Sequence, residues 1–308
     1  IPKEGFPARC GIPVHPGKVA DVHGAILRAD RKRIPANRTV SSQWPDDSVQ
    51  WLLFDFPVYP DTNTVELAFA TEEKGGDASG QIKPLNPGIA VEAGEVRFNS
   101  LPDFMLDSVR FRETTAITHA HLTALVEGEE IRAATESFSV IDEGPFRYTA
   151  LTEGRIDNEN RTYAHYRMYI SAYNKLPYLL CRLQLINDTS KPLPLAGLRI
   201  SFTFPENPSE PCVPSGPVGG EFTLRQISET DRRLNGAPVN PKSPFFVAWK
   251  GGAVAMRHFR ELYPKSASLK DKTLVIDLVA AESSPIVFTP GEAKTHEVWL
   301  AFGDVEPA

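Results

Sequence analysis

The chain has 308 residues, 41% hydrophobic and 23% charged, an ordinary globular composition with room for two or three domains. A net charge of −6, with no basic run beyond Arg28 to Arg33, excludes nucleic acid as the main partner, because phosphate binding needs a concentrated basic face. No apolar run reaches the roughly 18 residues of a helical membrane span, and the three cysteines lack C-x-x-C spacing, which excludes a disulfide framework and a zinc knuckle.

Twenty-seven prolines and 21 glycines cut the chain into short segments, and almost nowhere does a helical period persist. Short alternating or apolar runs bounded by turn residues dominate, which predicts an all-β protein. The first clear element is a turn, Trp44-Pro45-Asp46-Asp47-Ser48, feeding a buried strand over 49–58. Proline pre-sets φ there and the aspartates satisfy turn amides. A strand at 64–69 follows, and then residues 71–89, polar and rich in Gly and Pro, are expected to form a linker. The division expected is a small domain over 1–75 and a larger β-sandwich over 76–308.

Within the larger part, strands are expected at 94–99, 146–156, 163–173, 178–188, 245–250, 273–280 and 295–303. His119 and His121, two apart, share a strand face and would supply two metal ligands, but no third is marked. No cofactor is therefore expected, with a metal held by this pair as the alternative. The Pro/Gly-rich stretch 205–220 is long for a hairpin turn, and long ordered loops often carry function or cover something. Residues 257–266, with His258, Phe259, Arg260, Tyr263 and Lys265, offer a second cleft wall or an irregular edge. His296 and Glu297 lie on opposite strand faces, so no coupled pair is expected. Serine-hydrolase, P-loop, dinucleotide and zincin motifs are absent.

The densest chemistry lies in "RTYAHYRMYISAY", residues 161–173. Five of the eight tyrosines fall between Tyr163 and Tyr178. Sorted by strand parity, Tyr163, His165, Arg167, Tyr169, Ser171 and Tyr173 share one face, and Ala164, Tyr166, Met168, Ile170 and Ala172 form a core face. After a turn at 174–177, the returning strand adds Tyr178, Leu180, Arg182 and Gln184 to one face and Leu179, Cys181, Leu183 and Leu185 to the other. Tyr and Arg are enriched where something is bound, and their flat bodies with polar tips suit sugars. Arginine pairs bidentately with carboxylates, so a uronate-bearing saccharide fits this set. Cleavage by β-elimination would use Arg167 and Arg182 on the carboxylate and His165 and Tyr169, or Tyr163, as base and acid. Tyr173, Tyr178 and Gln184 would add substrate contacts. The same row suits an interface between domains equally well, and a non-catalytic glycan-binding or structural module of a larger surface or phage assembly is the alternative function.

Two phrases, "GIPVHPGKV" at 11–19 and "WPDDSVQWLLFDF" at 44–56, resemble the start of exo-rhamnogalacturonan lyase-like proteins of polysaccharide lyase family 26. "EGPFRYTALTEGRI", "YAHYRMYISAYNKLPYLLCRLQLIND", "HFRELYPKS" and "PGEAKTHEVWLAFG" are similar to that family's central β-sandwich. The resemblance implies a small N-terminal RIFT-type β-barrel followed by a larger antiparallel β-sandwich, and an acidic, rhamnogalacturonan-like polysaccharide as partner. Asp47 stands where the family's turn usually has glycine. Family members continue into an α-helical toroid that has no counterpart here, implying a fragment, a short relative or a partner chain. No leader segment is visible at Ile1, and a polysaccharide substrate favours an extracellular or periplasmic location.

Overall fold

The computed structural model describes residues 3, 5–20, 22, 24–69, 80–281 and 285–303. The fold is all-β, and no helix forms among the described residues. Near the N-terminus two three-stranded sheets pack about one small core. The first joins Phe6–Pro13, Val49–Val58 and Asn37–Gln43, and the second joins Lys32–Ile34, Ala25–Ala29 and Val65–Phe69. Their shared core is built from Leu27, Val49, Leu52, Phe54 and Phe56. The strand Val49–Val58 buries alternate residues on that core and turns Trp51, Leu53 and Asp55 outward.

The turn ahead of it forms as its residues demand. Trp44 and Ser48 close it by a backbone bond of 2.8 Å, and Asp46 accepts from the Ser48 amide at 3.1 Å. Asp47 sits at φ 62°, in the left-handed region that glycine favours and aspartate tolerates.

Beyond residue 80, two large antiparallel sheets face each other across one continuous core. The larger runs through Phe222–Gln226, Lys265–Lys270, Thr273–Val279, Leu193–Thr203, His119–Val126, Phe104–Phe111 and Gly88–Ala93, among others. The smaller has its centre in the order Ala134–Glu143, Arg147–Asn158, Arg161–Tyr173, Tyr178–Ile186, Ala293–Phe302 and Gly252–Met256. The expected linker is only partly observed. Residues 71–79, with the boundary at 75, lie outside the described residues, whereas 80–85 and 88–93 form the strands Gly80–Leu85 and Gly88–Ala93. Gly80 serves close approach: its amide donates to the Tyr148 hydroxyl at 3.0 Å, and a Cβ there would lie 2.5 Å from that ring.

Candidate functional site

The strand Arg161–Tyr173 divides by parity, with Ala164, Tyr166, Met168, Ile170 and Ala172 all in the core. Its other side faces away from the opposing sheet, and pairing with both neighbours fixes what shares that face. Arg167 lies opposite Glu153 on one side and Gln184 on the other, and Tyr169 opposite Leu151 and Arg182. Arg182 in turn lies opposite Glu297, and Gln184 opposite Thr295. Directly opposed residues share a face, so Arg167, Tyr169, Arg182 and Gln184 form one patch.

The expected row of tyrosines does not stay together. Tyr173 is only 4% exposed and stacks on Trp299 at 6.0 Å and against Phe146 at 5.5 Å. Phe6 of the N-terminal unit covers this cluster, meeting Tyr178 edge-on at 5.7 Å and Trp299 at 5.4 Å. Burial pushes the Tyr173 hydroxyl well above the ordinary phenol range. Tyr173 and Tyr178 thus belong to a junction between the two units. Tyr163, at the other end, is also buried: its hydroxyl donates to Glu127 at 3.3 Å and Arg161 lies 4.7 Å over its ring. Burial, followed by the Glu127 charge, raises its pKa, which makes it a poor proton acceptor.

The junction has a polar half. Arg147 bridges Asp55 at 2.8 Å and Asp142 at 2.5 Å, and Arg9 adds a second contact to Asp55 at 3.0 Å. Asn37 donates to the Arg147 carbonyl at 2.7 Å and accepts from the Phe146 and Arg147 amides at 3.0 and 2.7 Å. Asp55 and Asn37 lie on one outward face of the N-terminal sheet, which is how that sheet docks.

The open part of the face is a lattice of cross-strand ion pairs. Arg167 Nε donates to Glu153 at 2.8 Å, and Arg182 Nε to Glu297 at 3.0 Å. Arg257 reaches the second Glu297 oxygen at 3.3 Å, and Arg155 pairs with Glu136. His165 Nδ1 lies 2.5 Å from Asp188, which orients the ring and leaves Nε2 for another partner. Tyr169 and Gln184 make no side-chain hydrogen bond among the described residues. His165 and Tyr169, four residues apart on one strand, are separated by about 13 Å at ~3.3 Å per residue. The partners Glu153 and Glu297 are selected from 39 acidic residues only by strand register, and Asp188 only by the path of the chain after the strand Tyr178–Ile186.

The remaining candidates fall elsewhere. His119 and His121 stack at 5.9 Å beside Phe104 on the larger sheet, and no cluster of three metal-binding side chains occurs among the described residues. Burial, and then Arg132, lower the His121 pKa. Of the 257–266 stretch, Phe259 and Lys265 are in the interior and only Arg257 joins the open face. His296 points inward and Glu297 outward, on opposite faces of one strand.

No family model matches the chain, and no curated protein matches it. Solved structures do share its fold. An α-mannosidase from Enterococcus faecalis V583 aligns with a TM-score of 0.52 at 11% identity, over 97% of this chain and 41% of that one. A glycosyl hydrolase family 38 protein from Enterococcus faecalis gives 0.51 at 11%, over 97% and 42%. A TPR-domain containing protein from Parabacteroides distasonis ATCC 8503 gives 0.50 at 9%, over 98% and 56%. The chain therefore spans less than half the length of the two Enterococcus proteins, and at these identities the likeness is one of fold.

Proposed function

We propose that this chain is a carbohydrate-recognising β-module whose saccharide surface is the open part of the smaller sheet, around Arg167, Tyr169, Arg182 and Gln184. The observation that carries the reading is the pairing of a half-buried tyrosine and an amide, neither with a side-chain hydrogen bond among the described residues, with arginines that use Nε for their glutamates. A pyranose needs such a mixture of flat apolar surface and hydrogen-bonding tips. The names of the two Enterococcus structures, a mannosidase and a glycosyl hydrolase, support a carbohydrate setting for a chain of this fold. The resemblance to rhamnogalacturonan lyase-like proteins narrows the proposed ligand to uronate-containing polysaccharide.

A second reading, β-elimination, is favoured by the His165–Asp188 pair. Imidazole Nε2 would take the proton alpha to the uronate carboxyl, the C4–O bond would break as a C4=C5 double bond forms, and Tyr169 would protonate the departing oxygen. Two features oppose it. Arg167 and Arg182 are already neutralised by glutamates, and about 13 Å separates base from acid. Recognition without turnover needs no base and acid within reach of one another, and each arginine can donate to saccharide oxygens while its Nε keeps the glutamate.

Calorimetric titration with rhamnogalacturonan oligosaccharides tests the proposal, run beside ultraviolet absorbance of the unsaturated uronate product. Binding without absorbance is the expected result. Absorbance that disappears in His165→Ala would favour the lyase, and no binding to any uronate saccharide would overturn both readings.

A further inference from the structure

The long Pro/Gly-rich stretch forms the wall of a second site. A groove of about 690 Å³ opens beside the ends of strands from both sheets, and residues 205–209 line it. That volume lies inside the range of about 300–1,000 Å³ usual for small-ligand sites. Its floor is aromatic: Trp249 meets Phe204 edge-on at 4.9 Å, and Phe111 stacks with Phe302 at 6.1 Å.

The walls are fixed by backbone bonds. Lys250 donates its amide to the Ser209 carbonyl at 3.0 Å, Phe204 to Lys272 at 2.8 Å, and Gly303 to Gly251 at 3.0 Å. Lys272 Nζ holds the Pro205 carbonyl at 2.8 Å. A site held this way loses little order on binding.

The rim chemistry differs from the open sheet face. There each of the arginines Arg155, Arg167, Arg182 and Arg257 carries a carboxylate partner. At the groove, Lys250 forms no ion pair among the described residues, and the Asn207 and Ser209 side chains form no hydrogen bond among them. Arg112 is already paired with Glu95 at 3.0 Å and lies over Phe111, so it closes one side of the groove rather than offering charge. An indole platform, an amide and a hydroxyl without hydrogen bonds among the described residues, and an ammonium without an ion pair among them line the same opening, together with the Glu206 carboxylate.

We infer that this groove is a second saccharide subsite, which stacks a sugar ring on Trp249 and meets a uronate carboxylate with Lys250. For its ligand class the inference rests on the saccharide reading above, whereas its residues and position are independent of the sheet face.

The test uses the full chain and rhamnogalacturonan oligosaccharides, followed by calorimetric stoichiometry and tryptophan fluorescence. Two equivalents should bind, one of them with a change in tryptophan emission. Trp249→Ala should weaken that one about tenfold or more and remove the emission change. Ser209→Trp, which fills the mouth from an exposed position without touching the floor, should do the same in a chain of unaltered thermal stability. Tyr169→Ala with Gln184→Ala should spare it. If Trp249→Ala and Ser209→Trp bind as the unaltered chain does, the groove is overturned while the sheet-face reading stands. If the double variant on the sheet face abolishes all binding, the groove is likewise overturned. A chain that binds no uronate saccharide overturns the groove and the sheet face together.

Discussion

Two halves of one sheet face, drawn from the same strands and the same residue types, have opposite fates. At one end Tyr173, Tyr178, Trp299 and Arg147 are roofed by the N-terminal unit, their rings packed and their charges closed by Asp55 and Asp142. At the other end His165, Arg167, Tyr169 and Arg182 remain open, each arginine held by a carboxylate on the next strand and the His165 ring bonded to Asp188. The inner side differs as well. Behind the roofed half, Leu300, Leu179 and Ala172 lie in register, all apolar. Behind the open half, Leu183 lies opposite His296, whose Nδ1 is 3.1 Å from the ammonium of Lys265. Residue type thus does not decide between interface and site; what covers the residue does.

Removal of Arg147 should break this comparison most severely. Arg147→Ala leaves the buried Asp55 short of its main cation and should cost about 3–5 kcal/mol in urea unfolding. A loss below about 1 kcal/mol would mean that the roof is not fastened there. Tyr173→Ala should cost somewhat less, about 3 kcal/mol, because its ring fills the junction, whereas Tyr169→Ala in the open half should cost under about 1 kcal/mol. Equal losses in the two variants would erase the distinction between the halves.

The buried pair beneath the open half sharpens it through pH. Burial and the neighbouring Lys265 lower the His296 pKa from 6.5 to about 2, and burial, then Lys294, lowers that of Lys265 from 10.5 to about 7. In both groups the unfolded chain takes up its proton at a higher pH than the folded one. Stability must therefore fall as pH drops below about 6.5, through His296, and rise between about 7 and 10.5, through Lys265. Lys265→Met should remove the upper slope and raise stability at neutral pH by about 2 kcal/mol, the relief of a buried cation without a carboxylate partner outweighing the loss of its 3.1 Å bond to the Leu278 carbonyl. An unchanged alkaline slope would contradict this account. The smallest effect belongs to the open ion pairs. Arg167→Ala or Arg182→Ala should change stability by less than about 1 kcal/mol yet weaken saccharide binding about tenfold.

Much of this architecture was legible in the sequence, for identifiable reasons. Alternation divides core from outer face because side chains in a strand point to opposite sides, and the structure keeps that division over 164–170, whereas Tyr163 joins the core and Ser171 and Tyr173 are buried. The Trp44–Ser48 turn was readable because proline and aspartate impose it locally. What could not be read depends on partners distant in sequence. Arg182 and Glu297 are 115 residues apart, and Asn37 and Arg147 are 110 apart, so neither ion pair nor junction has a local signature. The stretch 80–89 looked like a linker because its glycines and prolines imitate one, yet Gly80 is there to let Tyr148 approach.

The most direct test follows the arginine Nε–H resonances by NMR while rhamnogalacturonan oligosaccharide is added. The account predicts that the signals of Arg167 and Arg182 shift and saturate together while that of Arg147, sealed under the N-terminal unit, stays in place. A bound saccharide that leaves Arg167 and Arg182 unmoved, or that moves Arg147 instead, would contradict it.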